Sequence, residues 1–388
     1  MEYHQWQRVC QLHPLPVLLN QYHQLNRKKM WNKTRITKLL GIEYPIVQGP
    51  FGGGLSSSKL ASTVSNLGGM GGYGVHHLSP AKIIEINSEI KSKTAKPYAL
   101  NLWVSNMDKS AETYLVEEYE KLCSLFKPYF NELSIPLPNK PETLGSQFEE
   151  QVQAVIDAKP PVLSFVFGIP SPEILDSCRK KNIKTIGTAT TAAEALALEA
   201  AGVDAIVATG FEAGGHRVSF IRSPEASLTG TFVLIPQVAD KIKIPIIAAG
   251  GIADGRGIVA ALTLGADAVQ IGTAFLACEE SNATPEHKKK LFSEDANYTV
   301  LTKMFTGRLS RGIKSRLSDE LGASESYAPY PIQSMFLSTL RTAAMAQGKS
   351  DLITFWAGQI APILKYKKAG ELFQSLLSQV EAIYKQGK

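Results

Sequence analysis

The segment from Phe211 to Arg217 carries the residues best suited to chemistry. It places Gly214 and Gly215 directly before His216, and glycines let the backbone come close to a ligand. The pKa of an imidazole lies near neutrality, so His216 can accept or donate a proton at physiological pH. An isolated histidine more often has a structural role, but this one follows a short apolar run, at the end of a predicted strand. We therefore predict that His216 is catalytic.

Two glycine-containing turns later in the chain form a second candidate site. Gly250 and Gly251 end one apolar run, and Gln270-Ile271-Gly272-Thr273 belongs to the next. Exposed backbone N–H groups at such turns, beside helix N-termini, form a cradle for an anion. Tight turns without a ligand are the simpler explanation, but both turns show the same pattern. We predict a phosphate-bearing ligand there.

Short apolar runs alternate with amphipathic segments from residue 42 onward and would position these groups. The eight runs cover residues 45–49, 70–75, 98–104, 161–168, 184–190, 205–210, 244–251 and 268–275. Each is apolar on both faces, as in a parallel sheet that helices cover. Helical patterns lie between them, at residues 57–67, 80–91, 171–181, 191–201 and 256–264. Eight strands with intervening helices predict an α/β fold, a closed (β/α)8 TIM barrel, whose active site lies at the carboxyl ends of the strands.

The remaining segments divide the chain into three parts. Residues 1–30 show no helical or strand periodicity, and we expect a disordered basic leader with Met30 as the natural start. Residues 31–281 form the predicted barrel, with a helical insertion at 105–150 whose helix covers 111–130. Residues 282–388 form a mostly helical C-terminal region, which we expect to pack on the barrel mouth.

Charge and composition exclude several classes of protein. Residues 1–40 hold seven basic residues and one acidic residue, which leaves 34 of each sign elsewhere, so we expect no nucleic-acid partner. No apolar stretch approaches the roughly 20 residues that span a bilayer. The four cysteines are far apart, which predicts a reducing cytoplasm and neither a disulfide framework nor a metal site. Nothing in the sequence indicates an oligomeric state.

From about Ile42 to Gly358 the sequence resembles the nitronate monooxygenases, formerly called 2-nitropropane dioxygenases. The resemblance rests on several runs: Tyr44-Pro45-Ile46-Val47-Gln48-Gly49-Pro50, Ala99-Leu100-Asn101-Leu102-Trp103, Ser164-Phe165-Val166-Phe167-Gly168, Gly187-Thr188-Ala189-Thr190-Thr191, Glu212 to Arg217, Pro236-Gln237-Val238 and, most specifically, Ile247 to Phe275. Two further runs resemble the bacterial-type branch: Tyr330-Pro331-Ile332-Gln333 and Trp356-Ala357-Gly358-Gln359.

The resemblance implies a TIM-barrel enzyme that uses FMN and O2 to convert a nitronate, expected to be propionate 3-nitronate, into a carbonyl compound and nitrite. It implies that His216 is the catalytic residue. Together with the glycine turns, it gives these candidate cofactor-binding residues: Asn101, Thr209, Gly214, Gly250, Gly251, Gln270, Ile271, Gly272 and Thr273. Thr209 stands where the family commonly has a glutamine that contacts the flavin.

The chemistry of the residues agrees with this expectation, and three alternatives remain. No cysteine, metal cluster or carboxylate pair is placed for redox work, so an organic cofactor must carry the electrons. His216 would orient an anionic nitronate when protonated, or remove the α-proton of a neutral nitroalkane when neutral. The first alternative is a flavin-dependent enoyl-thioester reductase, which would need NAD(P)H. A barrel similar to IMP dehydrogenase is disfavoured because no cysteine follows the sixth strand. The third alternative is a non-catalytic FMN-binding barrel.

Overall fold

The computed structural model describes residues 30–105, 107–141, 146–322, 324 and 326–386, so the predicted leader lies almost entirely outside the described residues. The strands in this part are β1 Ile46–Gln48, β2 Gly71–Gly74, β3 Tyr98–Trp103, β4 Val162–Val166, β5 Lys184–Ala189, β6 Ala205–Thr209, β7 Gly215–His216, β8 Ile246–Ala249, β9 Ala268–Ile271, β10 Thr299–Thr302 and β11 Ser310–Ile313. Eight of them form one parallel sheet in the order β1-β9-β8-β6-β5-β4-β3-β2. A parallel bridge between Val47 and Met70 joins its two edges. The predicted TIM barrel is confirmed, and each predicted apolar run contains one barrel strand.

Side chains on successive strand residues alternate between the barrel interior and the helical layer outside. The lower interior is apolar and consists of Val47, Met70, Ala99, Val162, Ile186, Ala205, Val207, Ile247, Ala249 and Ala268. Ile36 and Leu40 from the first helix close the bottom of this cluster. Two residues further along five of the strands, the inward side chains become polar: Asn101, Ser164, Thr188, Thr209 and Gln270. The barrel interior therefore changes from apolar to polar toward the carboxyl ends of the strands.

The helices in the described residues are α1 Arg35–Leu40, α2 Ser58–Asn66, α3 Pro80–Lys93, α4 Val116–Glu132, α5 Phe148–Ala158, α6 Pro172–Lys180, α7 Ala192–Ala200, α8 Thr231–Ala239, α9 Gly255–Thr263, α10 Thr273–Leu276, α11 Pro285–Leu291, α12 Arg316–Leu321, α13 Ile332–Ala346 and α14 Ala369–Gln386. Side chains cap several of them, as at Thr191 before α7 and Asp254 before α9. None of the described helices has the length and apolar character needed to cross a membrane.

Three local features of the structure were not predicted. The last predicted apolar run overshoots its strand, because α10 begins at Thr273. The insertion helix begins at Val116 and not at 111, because a 3-10 turn occupies Lys109–Ala111. The sequence pattern did not predict β7, the short strand that contains His216 and whose backbone pairs with β11.

The C-terminal region contains strands as well as helices. Its strands β10 and β11 pair antiparallel and join β7, which forms a small sheet above the barrel. In a second apolar core, Phe126 and Phe130 of the insertion pack on Phe336 of α13. The last helix, α14, lies on the outer wall, where Phe373 contacts Tyr44 and Gln379 accepts a hydrogen bond from Gly255 N at 2.9 Å. The insertion and the small sheet therefore flank the mouth, while α14 covers the side of the barrel.

Candidate active site

The two predicted glycine turns lie side by side at the mouth of the barrel. Strands β8 and β9 are neighbours, with Ala249 opposite Gln270, so the turns that follow them are adjacent. Gly250 and Gly251 have φ values of +100° and +70°, in the left-handed region that favours glycine. In the described residues, the backbone N–H groups of Gly250, Gly251, Gly272 and Thr273 donate to no protein acceptor. Four free donors at one place are a candidate anion site.

A carboxylate and a hydroxyl hold the first of these turns in place. The Glu212 carboxylate accepts hydrogen bonds from Thr231 N at 2.9 and 3.0 Å, at the start of α8. The Thr231 hydroxyl lies 2.9 Å from Gly250 O and 3.1 Å from Ala249 O. A Cβ at Gly250 would lie 2.8 Å from this hydroxyl, so the contact requires glycine. The sequence pattern did not indicate Thr231, because its hydroxyl reaches the glycine turn only in the folded chain.

The segment Trp356–Gly358 crosses the site from the C-terminal region. Gly358 N donates to Thr273 Oγ1 at 2.9 Å, which ties this segment to the second glycine turn. A Cβ at Gly214 would lie 2.6 Å from the carbonyl carbon of Ala357, so Gly214 must be glycine for the segment to pass. Gly214 is nevertheless exposed, so its other side faces open space at the mouth. The C-terminal region thus completes the cradle.

The polar upper layer of the barrel adds side-chain donors and acceptors below this cradle. Asn101 Nδ2 donates to Ser164 Oγ at 3.0 Å across strands β3 and β4. Thr188 and Thr209 line the same level and are buried. A ring of polar groups under a cluster of free N–H donors fits a ligand with a phosphate at one end and a polar chain beside it. A flavin mononucleotide has this form, so the residues present fit the group that the resemblance implies.

His216 is held at the mouth by one hydrogen bond and a ring of aromatic side chains. Its Nε2 lies 3.0 Å from Thr306 Oγ1, on the turn between β10 and β11. The ring centroid lies 5.1 Å from that of Trp103 and 5.5 Å from that of Trp356. Phe167 and Tyr330 contact it at longer range, with centroids 6.3 and 6.4 Å away. Aromatic walls fix the orientation of the imidazole and limit its contact with water.

This environment sets the protonation state of the histidine. Burial, and then the positive charge of Arg308, lowers the pKa of His216 to about 3. The side chain still has partial solvent access, but atoms of the barrel and the C-terminal region surround it. At neutral pH the imidazole is therefore uncharged and has a lone pair that can accept a hydrogen bond or a proton, although the low pKa makes the free ring a weak base.

Arg308 places a positive charge next to this neutral histidine. Its guanidinium lies 4.3 Å from the ring centroid of Phe167 and 4.7 Å from that of Tyr330. Its Nε donates to Asp108 Oδ1 at 2.7 Å, and Nη1 donates to Ser105 O at 2.9 Å. The aromatic and carboxylate contacts keep the cation in place although it is buried. The pocket thus contains a fixed cation that can attract an anionic substrate.

Arg217, the residue after the histidine, has a supporting role. It is buried, and its guanidinium donates to Gly210 O at 2.7 Å and to Thr209 O at 3.1 Å. Burial lowers the pKa of Arg217 to about 10, so the side chain stays charged at neutral pH. The arginine therefore fixes the carboxyl end of β6, from which the segment that carries His216 departs.

The structure brings the predicted site residues together and adds others that the sequence did not indicate. His216, Asn101, Thr209, Gly214 and the two glycine turns lie at the mouth, where the active sites of TIM barrels are found. Ile271 differs from the other predicted residues, because its side chain is buried in the apolar core outside the barrel and only its backbone belongs to the turn. Thr306, Arg308 and Trp103 were not singled out as site residues. Two of them lie about ninety residues after the histidine, so only the pairing of β7 with β11 brings them near it. No group of three His, Cys, Asp or Glu side chains in the described residues could hold a metal ion.

Comparison with known proteins agrees with the sequence resemblance. The model of the nitronate monooxygenase family matches residues 33–379. A probable nitronate monooxygenase of Staphylococcus aureus (strain Newman) is 38% identical over 356 residues, which cover 91% of this chain and 99% of that protein.

Solved structures show the same relationship. Nitroalkane oxidase from Streptomyces ansochromogenes superposes with a TM-score of 0.83 at 32% identity, covering 92% of this chain and 100% of that one. FabK from Thermotoga maritima gives a TM-score of 0.68 at 27% identity and covers 91% of this chain and 98% of its own. Because the family match and the curated relatives span nearly all of the described residues, the chain is a flavin-dependent oxidoreductase that belongs to the nitronate monooxygenase family.

Proposed function

We propose that this enzyme binds FMN and oxidises alkyl nitronates, with propionate 3-nitronate as the expected substrate, using O2 and releasing a carbonyl compound and nitrite. The observation that carries the proposal is the position of His216, at the mouth of the barrel beside a phosphate cradle and a buried cation. A phosphate-bearing redox cofactor, a base and an anion-attracting charge then share one pocket.

The free backbone N–H groups of the two glycine turns support the choice of FMN. The free N–H groups at Gly250, Gly251, Gly272 and Thr273 would hold one phosphate. Asn101, Thr209 and Gln270 would contact the rest of the cofactor from the upper layer of the barrel. Thr209 offers a short hydroxyl where a longer amide is common in the family, so we expect its contact to be weaker. Bound there, the flavin supplies the electron transfer between substrate and O2.

The side chains of the chain itself bind and deprotonate the substrate. A nitronate carries a negative charge, which the guanidinium of Arg308 attracts, and the aromatic walls limit the water around the bound substrate. A neutral nitroalkane must first lose its α-proton. His216 is neutral at working pH, so it can take that proton, and the C–H electron pair remains on the substrate as the nitronate. The relative named nitroalkane oxidase supports the neutral form as a second substrate.

The variant His216→Asn tests this assignment. The amide keeps hydrogen-bonding capacity but cannot act as a base near neutral pH, and positioned bases contribute roughly 10²–10⁴-fold to rate. We therefore expect turnover of neutral nitroalkane to fall by roughly 10²–10⁴-fold and turnover of nitronate to fall less. The flavin content should be unchanged. Oxygen consumption with both substrate forms is the measurement, and the exposed His77→Asn is the matched control. Full activity of the His216 variant on both forms would remove the histidine from the mechanism.

A flavin-dependent enoyl-thioester reductase is the second candidate, and the structural similarity to FabK is compatible with it. It differs in using NAD(P)H as the electron donor. Turnover driven by NADPH and insensitive to nitronates would favour it, while a coloured protein without either activity would favour a non-catalytic FMN-binding barrel.

The cytoplasmic location stays a prediction from the scattered cysteines.

A further inference from the structure

Thr306 contacts the catalytic histidine in the proposed function but takes no part in the chemistry described so far. Its hydroxyl oxygen has three polar neighbours: His216 Nε2 at 3.0 Å, the carbonyl oxygen of Arg308 at 3.1 Å and the backbone N–H of Arg308 at 3.3 Å. A hydroxyl has one hydrogen to donate and two lone pairs with which to accept. The three contacts therefore restrict which atom donates to which.

The carbonyl of Arg308 decides the assignment. A carbonyl oxygen can only accept, and in the described residues the Thr306 hydroxyl is the donor that reaches it. The hydrogen of Thr306 therefore goes to Arg308 O. Both lone pairs then accept, one from Arg308 N–H and the other from His216. For the third contact to be a hydrogen bond, His216 Nε2 must carry a hydrogen.

The opposite assignment leaves a polar group unpaired. If Thr306 donated to an unprotonated Nε2, the carbonyl of Arg308 would lose its donor, although Arg308 is buried. A buried carbonyl without a donor is costly, so this arrangement is disfavoured.

The backbone holds Thr306 firmly in this position. Thr306 lies on a turn closed by Gly307 N donating to Lys303 O at 2.7 Å. Gly307 has a φ of +89°, and a Cβ there would lie 2.5 Å from the carbonyl oxygen of Ala328, so glycine is required. The pairing of Ser310 with His216 fixes the histidine against the same hairpin. The hydroxyl and the imidazole are therefore held in register.

The other imidazole nitrogen is free. His216 Nδ1 has no hydrogen-bond partner in the described residues, yet it is not among the fully buried atoms that lack a partner there. It therefore keeps access to the open mouth. With the hydrogen fixed on Nε2, the lone pair of the neutral ring is on Nδ1.

We infer that Thr306 is a positioning residue that holds His216 in the Nε2–H tautomer and so makes Nδ1 the atom that takes the substrate proton. The inference rests on the proposed role of His216. It assigns an atom to that role and adds a second residue, ninety positions away in the chain, on which the role depends.

Nitrogen-15 NMR of histidine-labelled enzyme tests the tautomer directly, with His216→Asn identifying the resonances of His216. At pH 7 we expect Nδ1 in the unprotonated range and Nε2 in the protonated range. The substitution Thr306→Val keeps the shape and removes the hydroxyl, so we expect a mixture of tautomers. Thr306→Ser keeps the hydroxyl and should retain the wild-type spectrum.

Kinetics complete the test. With neutral nitroalkane, Thr306→Val should lower kcat about tenfold or more while KM changes little, and Thr306→Ser should recover most of that loss. A protonated Nδ1 in the wild-type enzyme would overturn the inference, even if Thr306→Val does not fold. An Nε2–H tautomer in an enzyme whose His216→Asn variant keeps full activity would instead refute the proposed role of His216 and leave the tautomer assignment intact.

Discussion

Two substitutions of Gly272 distinguish the effect of an added negative charge from the effect of an added side chain in the proposed phosphate site. Gly272 has a φ of −98°, which any residue adopts, and the nearest atom to an added Cβ is Phe51 Cε1 at 4.0 Å. Both Gly272→Asp and Gly272→Asn should therefore fold. The two side chains have nearly the same shape, but only aspartate carries a charge, so their difference reports on electrostatics.

The expected difference follows from Coulomb's law. A carboxylate about 5 Å from a phosphate, at an effective dielectric constant of about 20, costs roughly 3 kcal/mol for each unit of phosphate charge. That corresponds to an increase of about 200-fold in the Kd for FMN relative to Gly272→Asn. Quenching of FMN fluorescence on titration into apo-protein measures the Kd of each variant. Added salt should reduce the difference between the two Kd values. Equal Kd values for the two variants would show that no phosphate lies near Gly272.

Three further predictions concern stability and the leader. Arg217→Met removes the donor to Thr209 O and one of the two donors to Gly210 O, which keeps the Ala213 N–H at 3.2 Å. We expect urea unfolding to show a loss of about 1–3 kcal/mol, and unchanged stability would contradict the supporting role. The pKa of His216 is about 3 in the folded chain and about 6.5 unfolded, so the unfolded chain binds more protons between these values and stability falls as the pH drops. Between pH 7 and 5 this group should remove about 2 kcal/mol, and His216→Asn should unfold with a correspondingly weaker pH dependence. Deleting residues 1–29 should leave flavin content and turnover unchanged, and an inactive truncated protein would show that the leader is structural.

The barrel could be predicted from the sequence because each strand leaves a local pattern. The runs at β4, β6 and β8 are apolar on both faces, and helices cover them in the structure. The glycine turns were predictable for a similar reason, since a positive φ at Gly250 and Gly251 needs glycine whatever surrounds it. Local rules therefore predicted the barrel, which the structure confirms, and the glycine turns, whose ligand stays a prediction.

The surroundings of His216 could not be predicted in this way. The contact with Thr306 depends on the pairing of β7 with β11, which joins residues distant in the chain. A two-residue strand such as β7 has no periodicity of its own, so the sequence did not predict it. Arg308 likewise gave no sign that it was buried, because only the aromatic rings of Phe167 and Tyr330 make its burial possible. Tertiary contacts, and not local propensity, complete the site.

In the proposed function, nitronate gives its electrons to a flavin bound in this barrel, and the absorbance of the flavin reports on that transfer. The purified holoenzyme is mixed anaerobically with propionate 3-nitronate, and in a parallel sample with NADPH, while the visible flavin band is recorded. We expect the nitronate to bleach the band within the turnover time, NADPH to leave it unchanged, and admission of O2 to restore it with release of nitrite. A band that NADPH bleaches and nitronate does not would contradict the proposed function.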